Sequence, residues 1–240
     1  MSQNDISRTA DLMVTAIARE LRAGESVFHG IASTVPHVAI QMADRCYGKN
    51  LNYVNITGGY KMHPDKLQVS TDGDNLFNGT KCSFNLADIF DLAARGRLDT
   101  AFLGGVQIDQ TAHLNNTCIG PYEQPKVKLP GGAGSAVLVP NAHRALVWRT
   151  KHDKRTFVEH VDFITSFGNV DKVFTPLCVF EKRQGKLELY LLYPGVTYEE
   201  VAENTAFPIG NDYKVMEDLT EAERACLAEI DPERVRDTEF

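Results

Sequence analysis

The chain has 240 residues, with 25 Lys and Arg against 32 Asp and Glu, giving a formal net charge of −7. Hydrophobic residues make up 43% and charged residues 24%, the composition of a globular chain that can bury a core without disulfides. The acidic surplus argues against a nucleic-acid binder, which carries a basic face, and no apolar run approaches the ~20 residues of a membrane-spanning helix.

In chain order, residues 5–23 read as an amphipathic helix, because Ile6, Ala10, Met13, Val14, Ile17, Ala18 and Leu21 recur at helical spacing. Gly24 is placed to stop it. A short apolar run at 27–31 reads as a strand. Residues 35–46 are helical again, with Val35, Val38, Ala39, Met42, Ala43 and Cys46 on one face. A second strand at 51–56 ends in Thr57-Gly58-Gly59. Residues 60–84 are polar and irregular, with turn signals at Asp72-Gly73-Asp74 and Asn78-Gly79.

Asn85 is placed to cap a helix running to Arg95, and a strand at 100–106 carries Gly104-Gly105. A long polar stretch, 107–130, leads into Gly131-Gly132-Ala133-Gly134. Further strands are expected at 144–149, 161–166, 175–181 and 186–193, the last two joined as a hairpin at Gln184-Gly185. Late helices are expected at 198–204 and 220–229. Strand and helix alternate through the first half, which predicts an α/β fold with an open, mainly parallel sheet and helices on both faces. With no repeat, low-complexity tract or Pro/Ser-rich linker, residues 1–240 read as a single domain.

In open α/β sheets, ligands bind beyond the carboxyl ends of the strands. The loops there are 31–36, 56–60, 104–117 and 129–135. The run Pro130 to Ala136 is the strongest local feature. Small residues let backbone approach a ligand, and successive N–H groups can converge on an oxyanion. The competing reading is a tight turn before a helix. The Lys-Ser/Thr ending of a phosphate-binding P-loop is missing. Gly104-Gly105 opens room at the sheet edge, and Gln107 and Asn115 supply neutral donors and acceptors.

Seven histidines are scattered without metal-ligand spacing, so no metal is expected. Lys126, Lys128, Arg144, Arg149, Lys151, Lys154 and Arg155 read as a solvated basic face. Five cysteines lie far apart in sequence with no C-x-x-C pair, which reads as reduced thiols. Asp5, Asp11 and Glu20 interrupt any signal-peptide core, so a cytoplasmic protein is expected.

The ordered set Gly104-Gly105-Val106-Gln107-Ile108-Asp109, Leu114-Asn115-Asn116-Thr117, Pro125-Lys126 and Gly131-Gly132-Ala133-Gly134 resembles the beta subunit of class I coenzyme A transferases. The glutaconate CoA-transferase beta subunit is the type it looks most like. The resemblance continues through Thr165-Ser166, Tyr193-Pro194-Gly195 and Ile230-Asp231-Pro232. It implies an open α/β fold, an obligate alpha-subunit partner, often as α2β2, and an active site at the alpha–beta interface. Coenzyme A would enter as part of the acyl-CoA substrate, with no tightly bound cofactor. Gly131, Gly132, Ala133 and Gly134 would offer backbone donors to the thioester carbonyl, and Asn115 would orient the acyl group.

The family's nucleophilic glutamate falls, counted without a gap, on Ile56. An isoleucine cannot attack a thioester. Asn55 beside it is the nearest polar candidate, but a carboxamide is neither basic nor able to form the anhydride. The departure puts CoA transfer in doubt. Branches resembling this family without the glutamate decarboxylate glutaconyl-type CoA thioesters or hydrolyse a steroid-derived ring. The alternative is a non-catalytic scaffold for a catalytic alpha subunit.

Overall fold

A computed structural model describes residues 3–77 and 79–240; Asn78, read above as part of a turn, lies outside them. The chain divides into two compact units, one formed by the residues up to 102 together with 218–240, the other by 103–217.

The first unit opens with helix α1 (Gln3–Glu20), strand β1 (Ser26–His29), helix α2 (Thr34–Tyr47) and strand β2 (Asn52–Asn55). Helix α3 (Leu86–Ala94) and strand β3 (Thr100–Gly104) follow. The apolar stripes of α1 and α2 are buried as their spacing requires: Ala10, Met13, Val14, Ile17 and Ala18 on α1, and Val35, Val38, Ala39 and Met42 on α2. Asn85 closes a capping box with Asp88 at the start of α3. Strands β2 and β3 flank β1, and both pair with it in parallel: Val27 lies opposite Tyr53 on one side and Thr100 on the other. The strand ends therefore deliver the 30–33 and 56–59 loops to one edge.

A C-terminal helix, Glu221–Ile230, and the turn after it return to this unit. Arg236, 2% exposed, pairs with Asp231 at 2.7 Å and with Asp11 at 2.7 Å. Buried charges are tolerated only when paired in this way. Cys46 and Cys226 are joined by a disulfide with a Cα–Cα distance of 6.2 Å. This corrects the expectation of five reduced thiols: the pair is 180 residues apart in sequence, and packing of α2 against the C-terminal helix brings the two together.

The second unit begins with two small ribbons inside the stretch read as irregular. They pair β4 (Gln107–Ile108) with β5 (Leu114–Asn115), and β6 (Cys118–Ile119) with β7 (Val127–Lys128). Helix α4 (Ser135–Asn141) follows the glycine loop. Strands β8 (Arg144–Trp148), β9 (Val170–Phe174), β10 (Cys178–Arg183) and β11 (Lys186–Leu192) come next. Helix α5 (Tyr198–Glu203) and the short strand β12 (Lys214–Val215) complete the unit. Parallel pairs β8–β9 and β11–β12 enclose antiparallel β9–β10 and the expected β10–β11 hairpin. With the parallel trio of the first unit, the fold is α/β with parallel pairing predominant. Phe157, Phe180 and Phe207 pack with ring centroids 5.4–6.5 Å apart in the core of this unit.

Residues 161–166 are not a strand. Their alternating apolar pattern leaves Ile164 exposed, and Thr165 and Ser166 donate their N–H groups to Leu114 O at 2.9 and 3.2 Å. The strand forms instead at β9. The basic run is not one solvated face either. Arg144 is buried and paired with Asp171 at 3.3 Å, while Arg155 is exposed beside Asp153.

Candidate active site

In the first unit, the carboxyl end of β2 turns at Asn55–Gly59. Gly58 N–H donates to Asn55 O at 3.1 Å, which closes a tight turn with Ile56 and Thr57 at its tip. Asn55 is fully buried, and its side chain is spent on this turn. Its Oδ1 accepts from Thr57 N–H at 3.1 Å, from the Thr57 hydroxyl at 2.6 Å and from Gly59 N–H at 3.1 Å; its Nδ2 donates to Leu76 O at 3.0 Å. This is an Asx turn, the local role for which Asn is favoured. The structure thus places Asn55 as the support of the turn, with Ile56, half-buried, presented by it. Thr57 folds back onto Asn55 rather than pointing across the strand.

A layer of neutral aromatic groups lies beneath this edge. His29, opposite Asn55 in the β1–β2 register, has its Nδ1 2.8 Å from Gly30 O and its Nε2 2.5 Å from the Tyr53 hydroxyl. The carbonyl can only accept, so Nδ1 carries the proton and Tyr53 donates to Nε2. Burial pushes the His29 pKa down to about 4, and burial raises that of Tyr53. His37, its ring 5.2 Å from that of His29, is also held well below its ordinary value by burial. The three side chains stay neutral at pH 7 and supply no charge to the edge.

In the second unit the glycine loop is built differently. Gly131 lies at φ +95° and Ala133 at φ +44°, the second being a conformation that L side chains rarely adopt. Gly134 follows at φ −78°, ψ −4°. A left-handed residue followed by a right-handed one makes successive N–H groups converge on a small concavity. Gly131 N–H is used, donating to Asn116 O at 2.7 Å. The N–H groups of Gly132, Ala133 and Gly134 find no acceptor among the described residues, and Gly131 and Ala133 are exposed. A Cβ at Gly132 would lie 2.4 Å from Thr165 Cγ2 and 2.7 Å from Ser135 Oγ, so only glycine fits there without displacing a neighbour.

Asn115 is completely buried in this region, and its amide is saturated. It donates to Gln107 Oε1 at 2.6 Å and Cys118 O at 2.7 Å, and it accepts from Thr117 N–H at 2.9 Å and Cys118 N–H at 3.3 Å. It holds the two ribbons together rather than presenting an amide to a ligand. Gln107 passes the contact on, donating to Asp162 Oδ2 at 3.2 Å. The residue that ties the glycine loop down is the next one, Asn116. Besides accepting from Gly131, it donates Nδ2 to Gly104 O at 3.0 Å and accepts Val106 N–H on Oδ1 at 3.1 Å. At Gly104 an added Cβ meets nothing within 4 Å, so that position is open as expected; at Gly105 it meets Ile108 and Leu114, so that position is packed.

The sequence brought Gly131–Gly134 and the turn at Ile56 to the loops where they are found. It missed the structural employment of Asn55 and Asn115, and it missed Asn116 as the tether. The signal was present in part: Asn55-x-Thr57 and Asn115-x-Thr117 repeat an Asx/ST-turn spacing that favours local hydrogen bonds over ligand contacts. No group of three or more His, Cys, Asp or Glu side chains suited to a metal occurs among the described residues.

Residues 11–204 match the family model described as Coenzyme A transferase. The chain is 31% identical to the beta-type subunit of 3-oxoadipate CoA-transferase from Pseudomonas knackmussii, with 93% of each chain covered. It is 29% identical to the IpdB subunit of the cholesterol ring-cleaving hydrolase of Rhodococcus jostii, over 63% of this chain and 66% of that one. The crystal structure of the decarboxylase AibA/AibB superposes with a TM-score of 0.90 at 27% identity, covering 97% of this chain and 98% of that one. The family-model match takes in β1, the turn at Ile56 and the glycine loop alike, and with these likenesses it establishes that the chain belongs to the coenzyme A transferase family.

Proposed function

We propose that this chain is the beta subunit of a heteromeric cytoplasmic enzyme acting on an acyl-CoA thioester, with an alpha subunit as its obligate partner, and that its chemistry is decarboxylation rather than CoA transfer. The observation that carries the reading is the glycine loop: three consecutive N–H groups, at Gly132, Ala133 and Gly134, have no acceptor among the described residues and sit on a strained backbone. Such preorganised donors stabilise charge that develops on a carbonyl oxygen, each contributing roughly 2.7–4 kcal/mol in other enzymes.

Transfer in this family proceeds through a glutamyl-CoA thioester, and the turn that would present the glutamate carries Ile56. Asn55 is committed to the turn, and the Thr57 hydroxyl donates to Asn55. The turn therefore offers neither nucleophile nor base. Decarboxylation requires neither. When the carbon–carbon bond to a substrate carboxylate breaks, carbon dioxide leaves and the electron pair delocalises into the thioester carbonyl. The resulting enolate oxygen is the charge that the loop N–H groups meet, and protonation at carbon then completes the reaction. Likeness to the AibA/AibB decarboxylase supports this choice. Ring-cleaving hydrolysis, the activity of the IpdB relative, is the second reading; it needs a general base, which the alpha subunit would have to supply.

The test is product analysis with the purified alpha–beta complex and a glutaconyl-type CoA thioester. Carbon dioxide and a shortened acyl-CoA are expected. Stoichiometric transfer of CoA to an added carboxylic acid overturns the decarboxylase reading, and free CoA without carbon dioxide favours hydrolysis.

A further inference from the structure

Thr165 lies about 30 residues beyond the glycine loop in sequence, in the segment that fails to form a strand. Its hydroxyl accepts the Asn116 N–H at 2.8 Å and shares a hydrogen bond with the Thr117 hydroxyl at 2.7 Å. Its own N–H is fixed to Leu114 O at 2.9 Å. Its methyl group occupies the space where a Cβ on Gly132 would stand, 2.4 Å from that position. One half-buried side chain thus grips both ends of the local structure: the Asn116 backbone through oxygen, and the face of Gly132 through carbon.

The grip is transmitted by Asn116. Its carbonyl takes the Gly131 N–H at 2.7 Å, and its side chain holds Gly104 O and Val106 N–H. Thr117 adds a parallel connection, its carbonyl accepting Leu129 N–H at 3.0 Å just ahead of the loop. The loop itself has little else to hold it, since Gly131 and Ala133 are exposed and Ala133 is in a left-handed conformation. A strained backbone persists only when its surroundings over-determine it. Donors to an oxyanion act only if they need no reorganisation, so whatever fixes them is part of the catalytic apparatus at one remove.

We infer that Thr165 is a positioning residue: through Asn116 and direct contact with Gly132 it holds the N–H groups of Gly132 to Gly134 in the orientation that receives a thioester oxygen. This rests on the reading of the loop as a thioester site. The two parts of the side chain have separable duties. The hydroxyl sets the height of the 116–131 link, and the methyl limits the approach of Gly132.

The experiment compares two probes on the purified alpha–beta complex by titration calorimetry: acetyl-CoA, which has the thioester carbonyl, and S-ethyl-CoA, a thioether that lacks it. The ratio of their affinities reads the carbonyl contacts and cancels the remainder of the CoA molecule. Thr165→Val, which keeps the shape and loses the hydroxyl, is expected to reduce the acetyl-CoA preference at least tenfold while S-ethyl-CoA binds within twofold of wild type. Thr165→Ser, which restores the hydroxyl, is expected to recover the ratio to within threefold. Equal loss of affinity for both probes means a general structural defect and overturns the proposal, as does a Thr165→Val ratio equal to wild type. Gly132→Ala is the control for the underlying reading. If it abolishes the preference while Thr165→Val does not, the loop binds the thioester and Thr165 does not position it. If neither Gly132→Ala nor Thr165→Val changes the ratio, the thioester reading of the loop itself fails.

Discussion

Two loops in this chain look alike in sequence, each short, small-residued and next to an asparagine, yet they are built to opposite ends. At the turn after β2, every polar atom of Asn55 is turned inward: three donors converge on one carboxamide oxygen, and the tip is left to Ile56. At the glycine loop, the asparagine again ties down the backbone, but the N–H groups beyond it remain unspent among the described residues. The first loop has closed its own chemistry and the second has kept it open. A family fold can therefore lose one catalytic element and retain another, because hydrogen bonds within each loop decide separately what is presented.

The contrast breaks most sharply at Gly132. Gly132→Ala places a methyl group 2.4 Å from Thr165 Cγ2, so the loop must shift and its donors lose their aim. Turnover of the complex is expected to fall about 10²–10³-fold, the effect of losing an oxyanion donor, with circular dichroism unchanged. Wild-type turnover in that variant would mean that the loop is open only by accident.

At the closed loop the expected effect is on stability. Asn55→Ala strands the N–H groups of Thr57 and Gly59 in a buried turn, at a cost of about 1–3 kcal/mol for unsatisfied groups, read as a lower denaturation midpoint in urea. A variant as stable as wild type would show that the turn does not depend on this side chain.

The smallest effect is graded by pH and touches a histidine of each unit. Burial holds His29 down to about 4 and His152 down to about 3. In the unfolded chain both gain a proton near pH 6.5. Between pH 6.5 and the folded values the unfolded state binds more protons, so stability is complete above 6.5 and falls as the pH drops through that window. Each group contributes about 1.4 kcal/mol per pH unit there. Urea unfolding at pH 7.5, 6 and 5 should show the decline; a flat profile would mean that these rings are solvated.

Much of the fold was readable because periodicity reports burial. The stripes of α1 and α2, the Asn85 cap and the β10–β11 hairpin follow directly from local pattern. The failures share one cause, which is that the deciding partner is distant in sequence. Residues 161–166 alternate like a strand, but Leu114 claims their N–H groups. Cys46 meets Cys226 only because two helices pack. At the site, Gly131–Gly134 was legible because glycine has few reasons to cluster. Asn115 misled because its chemistry suits a ligand as well as a turn, and only the count of its hydrogen bonds separates the two. Asn116 and Thr165 carry no motif, since their importance lies in a contact across 49 residues.

The account turns on whether this chain ever becomes the covalent carrier of CoA. Intact-mass spectrometry of the alpha–beta complex, quenched during turnover with a glutaconyl-type CoA thioester, measures that directly. The prediction is an unmodified mass for this chain at every time point while carbon dioxide is released. A hydroxylamine-sensitive increase equal to bound CoA on this chain, mapped to any of its carboxylates, would contradict it.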